Sequence, residues 1–209
     1  WSVVRRQLVL GRDLIVRSLS FQVAFLSAAA VASRIGTAQL AAHQIMMQMW
    51  NFLSLVLDSL AIAAQALTGA ALGAGSARYA RTVGTKVTLY STSFSLALAA
   101  VLGLGAGVIP QIFTTSPEVL EVISGPWWVM TFLVIIGGVV FALDGVLLGA
   151  GDAAFLRTLT LASVLLGFLP GVWLALVFGT GLTGVWGGIA AFILIRMVGV
   201  VGRFYSMRW

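Results

Sequence analysis

The stretch HQIMMQMWNFLSLVLDSLAIAAQALTGAALG, residues 43–73, decides what kind of protein this is. It is apolar along its length and carries one acidic residue, Asp58, near its centre. On a helix turning about 100° per residue, Gln44, Gln48, Asn51, Asp58 and Gln65 fall within an arc of roughly 100°, because their offsets from Gln44 are 4, 7, 14 and 21. Leu55 and Ile62 interrupt this polar stripe, and the other faces are Leu, Ile, Val, Met, Ala and Phe. A hydrocarbon core of about 30 Å is crossed by roughly 20 helical residues, so the segment is long enough to span a bilayer with Asp58 near the midplane. A carboxylate at that depth costs on the order of 3 kcal/mol on insertion scales and is expected to face a bundle interior or a water-filled path. The stripe predicts the wall of a polar cavity inside a membrane protein.

The rest of the chain agrees. Of 209 residues, 60% are hydrophobic and 9% charged, against roughly 25% charged in an ordinary soluble domain. Six segments are apolar and long enough to span, at about 14–36, 39–73, 82–109, 118–149, 155–178 and 183–205. The expected fold is an all-α membrane protein of six transmembrane helices over residues 14–209, preceded by a cytoplasmic linker, residues 1–13, lying on the headgroups. The net charge of +6 raises the question of nucleic acid, and the placement of the cations answers it. Arg5, Arg6, Arg12, Arg17, Arg78, Arg81, Lys86, Arg157, Arg203 and Arg208 cluster in alternate connections, while the other connections hold Arg34, Glu118 and Glu121. By the positive-inside rule both ends are cytoplasmic, the charge is topological, and membrane lipid rather than nucleic acid is the partner. There is no cysteine, which excludes disulfides and thiolate metal sites. The chain starts at Trp1 without a cleavable signal pattern and is expected to be cut from a longer protein.

Taken in order, the first span carries Ser18, Ser20, Gln22 and Ser27, more polarity than a lipid-facing helix needs, so one side should face protein or water. Gly36 should end it. Leu72-Gly73-Ala74-Gly75-Ser76-Ala77 returns as Leu148-Gly149-Ala150-Gly151-Asp152-Ala153, an internal repeat in which glycines stop one helix and Ser76 or Asp152 caps the next. Thr85, Thr88, Thr92 and Ser95 in the third span read as packing and interhelical hydrogen-bond groups, and Pro110 as its close. Thr115-Ser116-Pro117-Glu118 looks like a capped helix start. Gly125-Pro126 should kink or restart the helix before Trp127 and Trp128, which suit an interfacial aromatic belt. Asp144 lies near the end of the fourth span and is a candidate for gating or coupling. The fifth span should bend near Gly167 and Pro170. Arg196 shares a face with Arg203 and is expected to snorkel towards the cytoplasm, with a gating role as the other possibility. Glycine pairs four apart, at 69/73, 103/107, 145/149, 167/171 and 184/188, predict close helix contacts.

No catalytic set is visible. The lone histidine, His43, falls at the outer end of the second span, where a structural or interfacial role is expected, and no metal site is supported. An enzyme is therefore not expected. What remains is an intramembrane carboxylate, Asp58, among the amides Gln44, Gln48, Asn51, Gln65 and, from the first span, Gln22. Such a set can hold a proton, a small cation or a polar, cationic molecule.

The runs Arg12-Asp13-Leu14-Ile15-Val16-Arg17-Ser18-Leu19, Leu40-Ala41-Ala42-His43-Gln44-Ile45, Leu57-Asp58-Ser59-Leu60-Ala61-Ile62-Ala63-Ala64-Gln65-Ala66-Leu67 and Ala142-Leu143-Asp144-Gly145-Val146-Leu147-Leu148-Gly149 together resemble the multidrug and toxic compound extrusion (MATE) family, most of all its DinF-type branch. The resemblance covers nearly the whole chain. It implies a twelve-helix transporter in two six-helix lobes, of which this chain is similar to the second, exchanging a proton or sodium ion for a cationic or amphiphilic drug without a bound cofactor. The missing N-terminal lobe is then a partner, and a bacterial inner membrane the location. Sodium-coupled members carry an acidic residue in the first helix of this lobe, and residues 18–33 contain none. Two other functions stay open at this point. A flippase of related fold for lipid-linked saccharides would show several cations in the cavity, and a non-transporting structural subunit would use the stripe only for assembly.

Overall fold

Glycine and proline punctuate a chain that is otherwise helical. The computed structural model describes residues 2–209, which form α1 (Ser2–Ile35), α2 (Thr37–Gly73), α3 (Ala77–Leu104), α4 (Ile109–Phe113), α5 (Pro117–Gly149), α6 (Ala153–Ser163), α7 (Leu169–Val177) and α8 (Gly181–Ser206). A π-helical turn, Val164–Phe168, joins α6 to α7. Among the described residues six segments are long and apolar enough to cross a membrane: Gln7–Ile35, α2, α3, α5, Ala153–Val177 and α8. The fifth crossing thus breaks near Gly167 and Pro170, as expected, through a π turn that shifts the hydrogen-bond register.

The internal repeat folds twice into the same turn. Gly75 (φ 77°) and Gly151 (φ 81°) take the left-handed conformation. In the first copy the Gly75 N–H donates to Leu72 and the Ser76 N–H to Ala71; in the second, Gly151 donates to Leu148 and Asp152 to Leu147. These paired bonds satisfy the last carbonyls of α2 and α5. The caps differ. Ser76 Oγ accepts from the Tyr79 N–H at 3.3 Å, whereas Asp152 makes no cap and instead accepts from Arg203 Nε at 2.6 Å.

Several local expectations yield to packing. Residues 2–13, expected to form a linker, belong to α1, which runs unbroken from Ser2 through the first span, while Trp1 lies outside the described residues. Asp13 of α1 is buried, accepting from Arg157 Nη1 at 2.5 Å. The third span stops at Leu104, before Pro110, because glycines at 103, 105 and 107 remove helix propensity there. Gly125-Pro126 does not restart α5, which continues through a buried Pro126. Helix packing holds the turn that a proline in isolation would break. Trp127 is not at an interface but in the core, 1% exposed, donating from Nε1 to Leu102 O at 3.0 Å, while Trp128 stays exposed. Thr85, Thr88 and Thr92 bond back to carbonyls four residues earlier in α3, and only Ser95 reaches another helix, at Ile135 O, 3.3 Å.

The centre of the bundle is α5, buried along most of its length and packed against α2, α3 and α8. Two glycines bring α5 and α2 together. A Cβ on Gly145 would lie 2.8 Å from the Ala61 carbonyl carbon, and one on Gly149 3.1 Å from that of Gln65. Gly171 meets Gly188 in the same way across α7 and α8. Gly73 and Gly107 have nothing within 4 Å and make no such contact. By contrast, α1 buries little besides Asp13 and the four-spaced alanines Ala24, Ala28 and Ala32. The apolar core falls into two clusters, one including Met46, Val140 and Ile193 and the other Leu147, Leu156 and Val200. A layer of charge lies between them.

Candidate functional site

A cleft of about 550 Å³ opens beside that charged layer. Arg17, Ser18, Phe21, Gln22 and Phe25 of α1 line it with Trp50, Asn51, Ser54, Asp58, Ile62 and Gln65 of α2, and Phe141, Asp144, Ile193 and Arg196 of α5 and α8 also border it. Asn51, Asp58, Gln65 and Gln22 line the cleft, whereas Gln44 and Gln48 are exposed outside it. Gln44 lies about one turn before Met47, the first α2 residue of the lining, whereas Gln48 sits between Met47 and Trp50, which both border the cleft, and is excluded by its direction around the helix rather than by its depth.

The charged layer is a three-residue cluster. Asp144, 6% exposed, accepts through Oδ2 from Arg17 Nη2 at 2.5 Å and also from Arg196 Nη2. Arg196 is 1% exposed, donates its other terminal nitrogen to Thr160 Oγ1, and has its guanidinium carbon 4.7 Å from the Phe21 ring centroid. It does not snorkel. Burial without a partner would cost the guanidinium several kcal/mol, and Asp144 and Thr160 offset that cost. Asp144 is therefore an ion-pair hub. Arg17 is the residue that sequence reasoning missed as part of the site, since by position it looked like another topological cation. Its signal was present: Arg17 and Asp13 lie four apart, on one face of α1, and both turn inwards to pair with a distant chain segment.

Against this background Asp58 stands out. Asp13, Asp144 and Asp152 are each held by arginine, and Asp58 alone of the four aspartates has no ion-pair partner among the described residues. It is exposed to the cleft. His43 is elsewhere: 1% exposed, edge-on to Trp186 with ring centroids 6.1 Å apart, it is a core residue and not an interfacial one. Among the described residues no group of three or more His, Asp or Glu gathers as a metal site. The cleft can hold a cation at Asp58, hydrogen-bond a ligand through Gln22, Asn51 and Gln65, and stack an aromatic body on Phe21, Trp50 or Phe141.

The model of the MatE family matches residues 14–173. The chain belongs to this family. Members of MatE are transporters, not enzymes. Relatives include Protein DETOXIFICATION 44, chloroplastic, of Arabidopsis thaliana, 33% identical over 90% of this chain and 36% of the relative. DNA damage-inducible protein F of Escherichia coli is 28% identical over 86% of this chain and 41% of the relative. The eukaryotic MATE transporter AtDTX14 has the same fold, with a TM-score of 0.85 at 20% identity over 95% of this chain and 47% of the solved one. The chain therefore spans about half or less of the proteins it matches. It is an all-α, multi-pass membrane protein with the fold of one MatE lobe.

Proposed function

We propose that this chain is one lobe of an efflux transporter, a proton- or sodium-coupled antiporter of cationic or amphiphilic molecules. It works by alternating access against a second six-helix lobe, in a bacterial inner membrane with both ends of the chain cytoplasmic. The observation that carries the proposal is Asp58: a carboxylate with no ion-pair partner among the described residues, exposed in a cleft of about 550 Å³, in a bundle whose other aspartates are all paired. A carboxylate left without an internal partner at membrane depth is available to a ligand or coupling ion. Occupation of Asp58 changes the state of the transporter only through different affinities in its two conformations. Asp144 and Arg196 sit between the two halves of the core, and the pairing of Asp144 with Arg17 of α1 as well as with Arg196 makes a gate that moves with that helix.

The test is efflux of a fluorescent cationic dye by the full-length transporter under an imposed pH gradient, with and without Asp58→Asn, at matched membrane levels. Loss of gradient-driven efflux with the protein inserted supports the reading; unchanged efflux refutes Asp58 as the site. The flippase alternative gains from finding Arg17 and Arg196 at the cleft. Arg196, however, is committed to Asp144 and Thr160, which leaves one guanidinium where a diphosphate calls for several cations.

A further inference from the structure

The two copies of the repeated turn are neutralised differently. Arg81 and Arg157 hold the same place in the repeat, after Ser76 and Asp152 respectively. In the second copy α1 packs over α6, its Asp13 accepts from Arg157 Nη1 at 2.5 Å, and Asp152 accepts from Arg203. In the first copy a serine stands in place of Asp152, and Arg78, Arg81 and Lys86 are exposed and make no ion pair among the described residues. No acid of the chain is left for them. Of its six acidic residues, Asp13, Asp144 and Asp152 are held by other arginines and Asp58 lines the cleft. Glu118 and Glu121 lie in the first turns of α5, at the opposite end of the bundle from the start of α3.

These three cations share a face. On α3, Arg78, Arg81, Lys86, Leu89 and Leu96 fall within an arc of roughly 140°, on the other side of the helix from Ala80, Gly84, Ser91 and Ser95, which are buried in the bundle. Leu89 is 63% exposed and Leu96 49%. From Arg78 to Lys86 is about 12 Å, so the charges occupy the first turns of a helix of 28 residues and exposed leucines follow them towards its middle. Lys86, the deepest of the three, reaches back to the headgroups along its own methylene stem.

We propose that this face of α3 is a site for one anionic phospholipid, whose phosphate stands to Arg81 as the Asp13 carboxylate stands to Arg157, with its acyl chains along Leu89 and Leu96. The inference is separate from the transport reading and uses only the membrane-spanning bundle. A phosphodiester accepts charge-assisted hydrogen bonds from the Arg78 and Arg81 guanidiniums, and Lys86 adds a third positive charge beside it. A zwitterionic lipid brings its own ammonium group and leaves the excess positive charge in place. A soluble anion answers the charge and leaves Leu89 and Leu96 unmatched. The lipid satisfies both ends of the face.

The experiment is native mass spectrometry of the purified full-length transporter in detergent, titrated with phosphatidylglycerol or with phosphatidylcholine of the same acyl chains. Phosphatidylglycerol is expected to bind about tenfold more tightly. Arg78→Gln/Arg81→Gln should bring the two lipids to within about twofold of each other. Arg5→Gln/Arg12→Gln, which removes two exposed cations from α1, should keep the preference. An equal loss in both double variants means diffuse attraction rather than a site and overturns the proposal, as does a wild type that does not distinguish the lipids. Excess inorganic phosphate at constant ionic strength should leave the preference standing; its loss there assigns the cations to a free anion and overturns the lipid. If Arg78→Gln/Arg81→Gln does not insert, hydrogen exchange of the wild type in nanodiscs decides. Phosphatidylglycerol should slow exchange over residues 76–86 relative to phosphatidylcholine, and no difference over that segment overturns the proposal.

Discussion

Asp144→Asn separates a carboxylate that holds the fold from one that serves a ligand. The substitution is nearly isosteric, so packing is preserved and the change is electrostatic. It leaves Arg196, 1% exposed, with Thr160 as a remaining hydrogen-bond partner, no ion-pair partner among the described residues and the Arg17 cation close by. Removing one partner from a buried ion pair costs about 3–5 kcal/mol. At about 2–4 °C per kcal/mol for a chain of this size, the melting temperature should fall by roughly 6–20 °C. Asp58→Asn removes a cleft-exposed carboxylate with no ion-pair partner among the described residues and should change stability by no more than about 0.5 kcal/mol. Thermal unfolding of the full-length transporter in detergent, read by tryptophan fluorescence and by retention on size exclusion, gives both numbers. The double variant Asp144→Asn/Arg196→Met removes the stranded charge and should recover most of the loss, since apolar replacement of a buried pair is often neutral. Equal shifts for Asp144→Asn and Asp58→Asn, or a double variant less stable than Asp144→Asn alone, would refute the electrostatic account.

Gly145→Ala places a methyl 2.8–2.9 Å from the Ala61 carbonyl carbon and Cα, forcing α5 and α2 apart at a cost of about 1–3 kcal/mol; Gly187→Ala, with nothing within 4 Å, is the matched control in the same melting assay. Gly151→Ala sets a side chain at φ 81° and should cost about 1–2 kcal/mol, as should Gly75→Ala in the first copy of the turn; no loss at either site would mean the turn relaxes. Trp127→Phe forfeits the bond to Leu102 O and should destabilise by about 1 kcal/mol, where an interfacial tryptophan would show little change in the protein's stability in detergent.

The helices were legible because their determinants are local. Runs of apolar residues, Gly36, the Gly75 and Gly151 turns and the Gly167 to Pro170 break each act over a few residues, and the observed boundaries follow them. The exceptions are places where a second helix intervenes. Pro126 reads as a break and is carried through by packing, and Trp127 reads as interfacial until Leu102 provides its acceptor. The site was legible in part. The spacing of Asn51, Asp58 and Gln65 put them on one face of α2, and the face does border the cleft. Periodicity alone could not say how wide the cleft is around that face or where along it the cleft ends, and Gln48 falls outside by direction and Gln44 by depth.

Hydropathy and charge placement in the sequence by themselves determined a six-span membrane bundle, because every backbone polar group in a bilayer must be satisfied within its own helix. They also determined Asp58 as its central carboxylate. The tertiary structure decided which charges are spent and which are free. Asp144 meets Arg196 across 52 residues and Arg17 across 127, separations at which no local pattern carries information. Only the approach of α1, α5 and α8 turns two arginines that look topological into the partners of a buried acid, leaving Asp58 in the cleft without an ion-pair partner among the described residues.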